Sequence, residues 1–255
     1  MMLLYNTDCL EIMAGMEAGS VDCIITDPPY FSTNLHFDKA PRLDFKTWLL
    51  ECKRVLKPDG VLISFSDFNL LAQLRSHKVF SSNYELIWEK TMSVGFLDAN
   101  IRPLRNHEFI GIFTNSLKLS TYNPQKTVGE AYTRRQKTVG EAYNIMAHTG
   151  QERTITTSNT GDRHPKSVLK FSNGNNNSLH PTQKPLDLLM WLMRSYTNER
   201  DVVFDCFMGS GTTGHAAILL NRKFIGCELD SNYFSVAKAR IEESQHDLIN
   251  FFGVI

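Results

Sequence analysis

The segment Cys23–Ser32 reads CIITDPPYFS, so an apolar run ends in an acid, two prolines and a tyrosine. The carboxylate of Asp27 can accept hydrogen bonds, and the ring of Tyr30 offers a π face. Pro28 and Pro29 have a fixed φ and no N–H, so they hold this geometry without adding a competing donor. The four residues predict either a site where polar and π groups are fixed at one spot, or a strand-ending turn whose tyrosine fills the core.

A second chemical pattern occupies residues 201–230, DVVFDCFMGSGTTGHAAILLNRKFIGCELD. It reads as a strand, a glycine-rich turn, a helix, a strand and an acid. Gly209, Gly211 and Gly214 have the spacing GxGxxG, and Glu228 lies where an acid can hold the hydroxyls of a ribose. Alone, this pattern would indicate a dinucleotide-binding dehydrogenase. The phosphate loop of nucleoside triphosphatases is excluded, because no lysine follows the second glycine and the spacing differs.

The elements that must position these residues are short apolar runs alternating with amphipathic stretches. Predicted strands are MLLYN, VDCIIT, VLISFS, YELIWEK and HEFIGIF, and predicted helices are CLEIMAGM, DFKTWLLECKRVLK, FNLLAQLRSH and PLDLLMWLMRSY. A turn is expected at Pro58, Asp59 and Gly60, and Pro185 suits the first turn of its helix. The alternation predicts an α/β fold with a mostly parallel, doubly wound, Rossmann-like sheet and helices on both faces.

Residues 115–178 interrupt this alternation and form a predicted loop-rich insertion. The segment is rich in Thr, Asn, Gly and Lys, and it contains QKTVGEAY twice, at 125–132 and 136–143. Nine basic residues and four acids give it a charge of +5, although the whole chain has a net charge of zero. This asymmetry predicts either a basic surface for a polyanion or a solvated loop without a partner.

Composition narrows the class of protein. The chain has 255 residues, 42% of them hydrophobic, which suits one compact domain with an insertion. No basic-then-apolar signal segment and no apolar run long enough for a membrane helix is present, so we expect a cytoplasmic protein without a membrane partner. The five cysteines are scattered without CxxC spacing, which favours reduced structural thiols and no metal site.

Seven motifs in one order resemble the DNA amino-methyltransferases of the beta arrangement, the DPPY adenine-N6 family. In that arrangement the catalytic half comes first, the target-recognition insertion second and the cofactor half last, so the motif order is circularly permuted. The resemblance implies one methyltransferase domain over 1–255, a recognition insertion at 115–178 and a cofactor half at 180–255. The motifs are YNTDCLEIM, DCIITDPPY, RVLKPDG, HEFIGIF, HPTQKP, FDCFMGSGTT and GCELDSNYFSVAKARI.

The resemblance gives the DPPY segment a catalytic role on an adenine flipped out of duplex DNA. The Asp27 carboxylate and the Pro28 carbonyl would each accept one amino hydrogen, which aims the nitrogen lone pair at the methyl donor. Pro29 would help to hold this geometry, and Tyr30 would stack on the extruded base.

The resemblance also implies S-adenosylmethionine as cofactor, S-adenosylhomocysteine as product and no metal. Asp205 would face the ammonium or sulfonium, Glu228 the ribose hydroxyls, Asp8 the cofactor adenine and Lys184 the cofactor carboxylate. Asp8 and Asp205 have an alternative as helix caps. The backbone of the glycine loop would cradle the methionine portion. That loop comprises Phe207, Gly209, Ser210, Gly211, Thr212 and Thr213.

Double-stranded DNA is the expected partner, and two regions are predicted to contact it. The insertion contributes Arg134, Arg135 and Lys137. A long loop between two predicted strands contributes Arg102 and Arg105, either as a lid over the flipped base or as an ordinary surface crossover. A homodimer and a cognate restriction nuclease are further expected partners.

Several functions stay open at this point. The leading prediction is adenine N6 methylation, because an aspartate such as Asp27 is typical of that branch, whereas cytosine N4 relatives more often carry serine there. A DNA-binding subunit without turnover and an NAD-binding oxidoreductase are the alternatives from other classes. The recognition sequence and the role of the duplicated QKTVGEAY segment are not specified by the sequence.

Overall fold

The computed structural model describes residues 1–30, 43–116, 121–138, 153–173 and 183–252, and for 136–138, 153–155 and 247–252 it describes the backbone alone. The chain forms two compact units. One comprises Met1–Asn123 and Ser167–Ile255, and the other comprises Pro124–Lys166.

The described elements follow the predicted alternation. The strands are β1 (Met2–Tyr5), β2 (Val21–Thr26), β3 (Leu56–Ser66), β4 (Ser82–Val94), β5 (Arg105–Thr114), β6 (Thr127–Val128), β7 (Tyr132–Thr138), β8 (Arg153–Asn159), β9 (Asp162–Arg163), β10 (Val168–Phe171), β11 (Val202–Asp205) and β12 (Lys223–Cys227). The α-helices are α1 (Cys9–Gly15), α2 (Phe45–Val55), α3 (Phe68–Ser76), α4 (Leu186–Tyr196), α5 (Thr212–Leu219) and α6 (Ser231–Phe252), with a 3-10 helix at Phe96–Asp98.

Eight strands of the larger unit form one sheet in the order β1-β12-β11-β2-β3-β5-β4-β10. Strand β5 is antiparallel to both of its neighbours, and every other neighbouring pair in this sheet is parallel. The predicted mostly parallel α/β sheet is therefore confirmed. The last two strands of the chain lie between the first two, which is the spatial form of the permuted motif order.

Helices cover both faces of this sheet, because neighbouring residues of a strand point to opposite sides. Cys23 and Ile25 belong to a buried cluster with Leu188 of α4, whereas Ile24 belongs to a second cluster with Trp48 of α2. The first cluster also contains residues of α5 and α6, and the second also contains residues of α1 and α3. The fold is therefore doubly wound, as predicted.

The sheet topology brings three acids to one edge. Parallel pairing aligns the carboxyl ends of β12, β11 and β2. Asp205 ends β11, Asp27 directly follows β2, and Glu228 directly follows β12. Open α/β sheets bind their ligands at this edge, so the topology positions all three acids for one site.

The turn predicted at Pro58, Asp59 and Gly60 is wrong in detail, because these residues lie within β3. Leu56 pairs with Val21, and the next paired residue of β3 is Val61. The intervening residues therefore bulge from the ladder without ending the strand.

The insertion is more regular than its composition indicates. In the smaller unit, β6 pairs with β9 and β7 pairs with β8, both antiparallel. Strands β7 and β8 read YTRRQKT and RTITTSN, so they lack the apolar alternation that identifies a half-buried strand. The unit is also narrower than 115–178, because β10 pairs with β4 in the main sheet. Most of the second QKTVGEAY copy lies outside the described residues.

The five cysteines are free and buried, which agrees with structural thiols. Within the described ranges, no helix has the length and hydropathy of a membrane span. The same part of the chain contains no group of three or more His, Cys, Asp or Glu residues arranged to hold a metal ion.

Candidate active site

The DPPY segment forms a hydrogen-bonded pair at the carboxyl edge of the sheet. The Tyr30 hydroxyl donates to Oδ1 of Asp27 at 2.8 Å. Burial, reinforced by the negative charges of Asp27 and Glu108, raises the pKa of Tyr30 well above its usual value, so the phenol keeps its proton and donates it. Tyr30 also packs against the cluster that contains Trp48. The tyrosine is therefore both a core contact and a fixed partner of the acid.

Lys184 has a position that the sequence did not predict. Its Nζ lies 2.5 Å from Oδ2 of Asp27 and 3.5 Å from Oε2 of Glu108, with only 9% of the side chain exposed. Burial favours the neutral amine, but Asp27 and Glu108 outweigh this effect and raise the pKa of Lys184. Lys184 thus forms an ion pair with Asp27, and its contact with a cofactor carboxylate stays a prediction. Residues 180–182 of the HPTQKP motif lie outside the described part of the chain.

The glycine loop connects β11 to α5. Gly211 precedes the helix with φ +76°, a left-handed conformation, and a Cβ there would lie 3.0 Å from the Cα of Ala237. A Cβ on Gly214 would lie 2.4 Å from Cδ1 of Ile241, so this glycine allows α5 and α6 to pack closely. The loop is therefore shaped by backbone conformation and by the close packing of α5 on α6.

Glu228 holds the glycine loop from the neighbouring strand end. Its Oε2 accepts from the N–H of Gly209 and its Oε1 from the N–H of Asp230, both at 2.9 Å. Burial raises the pKa of Glu228, and these backbone donors oppose that shift. Each carboxylate oxygen can accept a further hydrogen bond, so the predicted ribose contact is compatible with this arrangement.

Asp205 joins the two halves of the site. It is buried, and its Oδ1 accepts from Thr26 Oγ1 at 2.8 Å and from the N–H of Phe207 at 3.1 Å. Burial raises its pKa to about 6 although hydrogen bonds from Thr213 and Thr26 act in the opposite direction. Because Thr26 directly precedes Asp27, this contact couples the DPPY segment to the glycine loop.

Other predicted cofactor residues have structural contacts of their own. The Asp8 carboxylate caps α1 by accepting from the N–H of Leu10 at 2.7 Å, so the capping interpretation is confirmed and the ligand interpretation stays a prediction. Ser210 donates to Gln183 at 3.1 Å, and Thr212 accepts from Arg240 at 2.9 Å. These contacts fix the loop before any ligand binds.

A cavity of about 200 Å³ opens beside Tyr30. Its aromatic walls suit the stacking of a planar base. The lining residues are Tyr30, Asp67, Phe68, Asn69, Arg105, His107, Glu108 and Phe109.

The predicted DNA-contacting residues fall into different places. Arg105 begins β5 and lines the cavity, whereas Arg102 is exposed at the tip of the β4–β5 hairpin and pairs with Asp98. Arg134, Arg135 and Lys137 lie on β7 in the smaller unit. Within the larger unit, Arg105 is the predicted DNA-contacting residue that lines the cavity beside Tyr30.

Sequence reasoning missed the cavity residues that follow β3 and begin β5. Asp67 directly follows β3, a position where parallel strands often carry functional side chains. Glu108 lies within the quoted HEFIGIF motif, and the available signal was an acid directly before the apolar run FIGIF.

Comparison with known proteins identifies similar chains. The profile of a family described as DNA methylase matches residues 21–239. Type II methyltransferase M.HpaI of Haemophilus parainfluenzae is 30% identical, over 94% of this chain and 74% of that protein. DNA adenine methyltransferase YhdJ of Escherichia coli (strain K12) is 30% identical, over 95% of this chain and 83% of that protein. The crystal structure of an M1.HpyAVI-SAM complex has a TM-score of 0.63 at 23% identity, with 94% of this chain and 99% of that chain covered.

Proposed function

Because the chain belongs to the DNA methylase family, we propose that it transfers the methyl group of S-adenosylmethionine to the N6 amino group of adenine in duplex DNA. The observation that carries this proposal is the Thr26–Asp205 hydrogen bond, which joins the DPPY segment to the glycine loop. The relative YhdJ is named an adenine methyltransferase, and the resemblance of the DPPY segment implies the same branch through Asp27. Cytosine N4 is not favoured over this target, and the family match excludes the oxidoreductase interpretation.

The donor set at the strand ends fits the proposed cofactor. Asp205 offers a buried carboxylate to a cation, Glu228 offers one to the ribose hydroxyls, and the N–H of Gly209 ties the glycine loop to Glu228. When bound, S-adenosylmethionine supplies an electrophilic methyl group. The chain's own residues bind and orient it, and the backbone N–H groups of the loop need no side chain for this task.

Asp27 is the residue that makes the target nitrogen reactive. An exocyclic amino group is a poor nucleophile because its lone pair is delocalised into the ring. Asp27 accepts one amino hydrogen and thereby aims the lone pair away from the ring. Its orientation is set beforehand by Tyr30 at Oδ1 and Lys184 at Oδ2, so little reorganisation is needed when the base arrives.

The aromatic cavity is the proposed binding place of the flipped base. Tyr30 lies in its wall within hydrogen-bond distance of Asp27, so a base stacked there presents its amino group to the acid. Arg105 and Asn69 add donors for the ring nitrogens of adenine, which are acceptors.

Cofactor binding should depend on the ionisation of Asp205. The folded protein holds this carboxyl partly protonated near pH 6, and a cationic ligand needs it ionised. Affinity should therefore fall as pH decreases through about 6 and reach a plateau above it. At pH 6, calorimetry in buffers of different ionisation enthalpy should detect release of about half a proton per ligand.

Asp205→Asn is the control for this titration. Glu228 also has a raised pKa, so the difference between wild type and Asp205→Asn isolates the contribution of Asp205. Equal proton release by both proteins would contradict the assignment.

We further propose that the smaller unit binds the DNA backbone through β7. Arg134 and Arg135 are exposed neighbours on one strand, so their side chains lie on opposite faces of the hairpin. Neutralising Arg134, Arg135 and Lys137 together should weaken binding to all sequences and flatten the salt dependence, because fewer counterions are released. Fluorescence titrations over a range of salt concentrations measure this slope.

Single variants refine this prediction. If one face of the hairpin contacts DNA, Arg134→Ser and Arg135→Ser should differ, with one of them causing most of the loss. Cofactor affinity should not change in either. An unaltered affinity and salt slope in the triple variant would remove the unit from the DNA interface.

The β4–β5 hairpin is the second proposed DNA contact. Its tip exposes Phe96, Leu97 and Ile101 beside Arg102, and its base reaches the cavity through Arg105. One hairpin therefore runs from the exposed apolar tip to the cavity. This supports a role for the hairpin as a lid or as a duplex contact, and not as an ordinary surface connection. A homodimer, a cognate nuclease and a cytoplasmic location stay predictions.

The direct test of the proposed function is methyl transfer. Purified protein, S-adenosylmethionine with a radioactive methyl group and bacterial DNA lacking methylation should yield labelled DNA. A folded protein that binds the cofactor and labels no DNA under any salt condition would contradict the proposal, and would favour a binding subunit without turnover.

A further inference from the structure

Four charged side chains form a chain of alternating sign that ends at Asp27. Lys90 contacts Oε1 of Glu108, whose Oε2 lies 3.5 Å from Nζ of Lys184, and Lys184 in turn lies 2.5 Å from Oδ2 of Asp27. Their side chains are 12%, 17%, 9% and 24% exposed in that order. Burial of a charged side chain costs desolvation free energy unless an opposite charge lies beside it. The alternating signs supply each of these side chains with such a partner.

Each member is held by a different element. Glu108 lies on β5 opposite Trp88 of β4, and the ammonium of Lys90 lies 4.9 Å from the centroid of that tryptophan ring. Lys184 comes from the segment before α4, and its ammonium lies 5.1 Å from the ring centroid of Phe65 on β3. The lysine beside Asp27 is therefore enclosed by aromatic rings and carboxylates from three parts of the sheet.

Glu108 stays charged in this setting. Burial favours its neutral form, but the ammonium groups of Lys184 and Lys90 outweigh that effect and hold its pKa below the usual value. Its Oε2 is buried and has no hydrogen-bond partner among the described residues, although Lys184 is close enough for an ion pair. The carboxylate thus acts on Lys184 mainly through charge.

Direct reading of the base by Glu108 is an alternative that chemistry disfavours. Glu108 lines the cavity next to Tyr30, so a bound base would approach it. Apart from their amino groups, adenine and cytosine present only acceptors at their hydrogen-bonding edges, and a carboxylate cannot donate to them. The two amino hydrogens are already assigned to the Asp27 carboxylate and the Pro28 carbonyl.

We propose that Glu108 is a positioning residue that holds Lys184 in place, and that Lys184 holds the Asp27 carboxylate in the orientation that accepts the amino hydrogen. This inference rests on the proposed methyl transfer and deepens it. It gives Lys184 a role on the catalytic acid, and it gives a function to the acid that directly precedes the apolar run of β5.

The test begins with Glu108→Gln, which keeps the shape of the side chain and removes its charge. We expect kcat to fall roughly 100-fold with little change in KM for S-adenosylmethionine, because misplacement of a reacting group affects turnover rather than cofactor binding. The control is Glu85→Gln, which removes a carboxylate from the same hairpin, where it pairs with the partly exposed Arg75. That variant should keep wild-type kcat.

A double-mutant cycle separates positioning from an independent role. If Glu108 acts through Lys184, adding Glu108→Gln to Lys184→Met should lower kcat by less than about threefold beyond Lys184→Met alone. If the losses in kcat caused by Glu108→Gln and Lys184→Met multiply in the double variant, Glu108 does not act through Lys184.

A readout without substrate completes the test. In nitrogen-15 NMR spectra, the ammonium protons of Lys184 should exchange slowly in the wild type and rapidly in Glu108→Gln, whereas Glu85→Gln should leave them unchanged. If Glu108→Gln does not fold, Glu108→Asp serves instead, because it keeps the charge and shortens its reach. Wild-type kcat with an unchanged Lys184 signal in the folded variant would overturn the inference, while a wild type that labels no DNA would instead overturn the proposed function.

Discussion

Asp27→Ala should abolish methyl transfer while cofactor affinity stays nearly unchanged. The substitution removes the acceptor that orients the amino nitrogen, and loss of one preorganised group of this kind costs on the order of 10²–10³ in kcat. It also removes the charge that faces Lys184, which adds disorder at the reacting centre. Single-turnover kinetics with saturating cofactor and calorimetric titration of S-adenosylmethionine measure the two effects separately.

The matched control for this variant is Asp22→Ala. Asp22 lies on β2, which Asp27 directly follows, and pairs with a lysine at the same distance, with its Oδ1 2.5 Å from Nζ of Lys57, but outside the candidate site. Both variants should lose some stability, and only Asp27→Ala should lose turnover. A methyl-transfer rate of Asp27→Ala within tenfold of the wild-type rate would contradict the catalytic role of Asp27.

Glu228→Ala should weaken S-adenosylmethionine binding by about 1.5–3 kcal/mol, since charged hydrogen bonds of this type contribute that much. The substitution has two consequences that act together. The ribose hydroxyls lose their acceptor, and the N–H of Gly209 loses the carboxylate that fixes the glycine loop. Isothermal titration of the folded variant measures the loss, and turnover should recover at high cofactor concentration.

Asp230→Ala tests whether any nearby acid has this effect. Asp230 accepts from the N–H groups of Asn232 and Tyr233 at the start of α6, so its loss affects a helix end and not the ribose. Its cofactor affinity should stay close to that of the wild type. Unchanged affinity in Glu228→Ala, or an equal loss in Asp230→Ala, would refute the specific role of Glu228.

The sequence was sufficient to predict the frame of this site. The apolar runs of β2, β11 and β12 lead into Asp27, Asp205 and Glu228, and parallel pairing then requires their ends to share one edge. The glycine spacing likewise predicted the turn between β11 and α5. Both predictions depend on local sequence patterns, and each of these patterns is typical of one local structure.

The charge chain was not predictable in the same way. Lys184 and Asp27 are separated by 157 positions, and Lys184 is equally suited by type to a cofactor carboxylate. Its partner depends on the surroundings formed by Phe65 of β3 and Glu108 of β5, which exist only after these two strands have paired. Side-chain selection among several charged partners is a tertiary property.

The insertion shows a different limit of sequence patterns. Strands β7 and β8 are mostly polar and exposed where their side chains are described, so hydrophobic periodicity carries no signal for them. Strand β10 has four residues, and only Leu169 among them is buried. Such strands are specified by backbone pairing with a neighbour, which the sequence does not display.

Identification of the methylated nucleoside tests the central claim most directly. DNA treated with the wild-type protein is digested to nucleosides and separated, and the products are identified by mass against standards. The proposed chemistry predicts the deoxynucleoside N6-methyldeoxyadenosine in this digest. The same product should be absent from DNA treated with Asp27→Ala. N4-methylcytosine in its place would contradict the adenine assignment, and an unmodified digest from active, cofactor-binding protein would contradict methyl transfer to DNA.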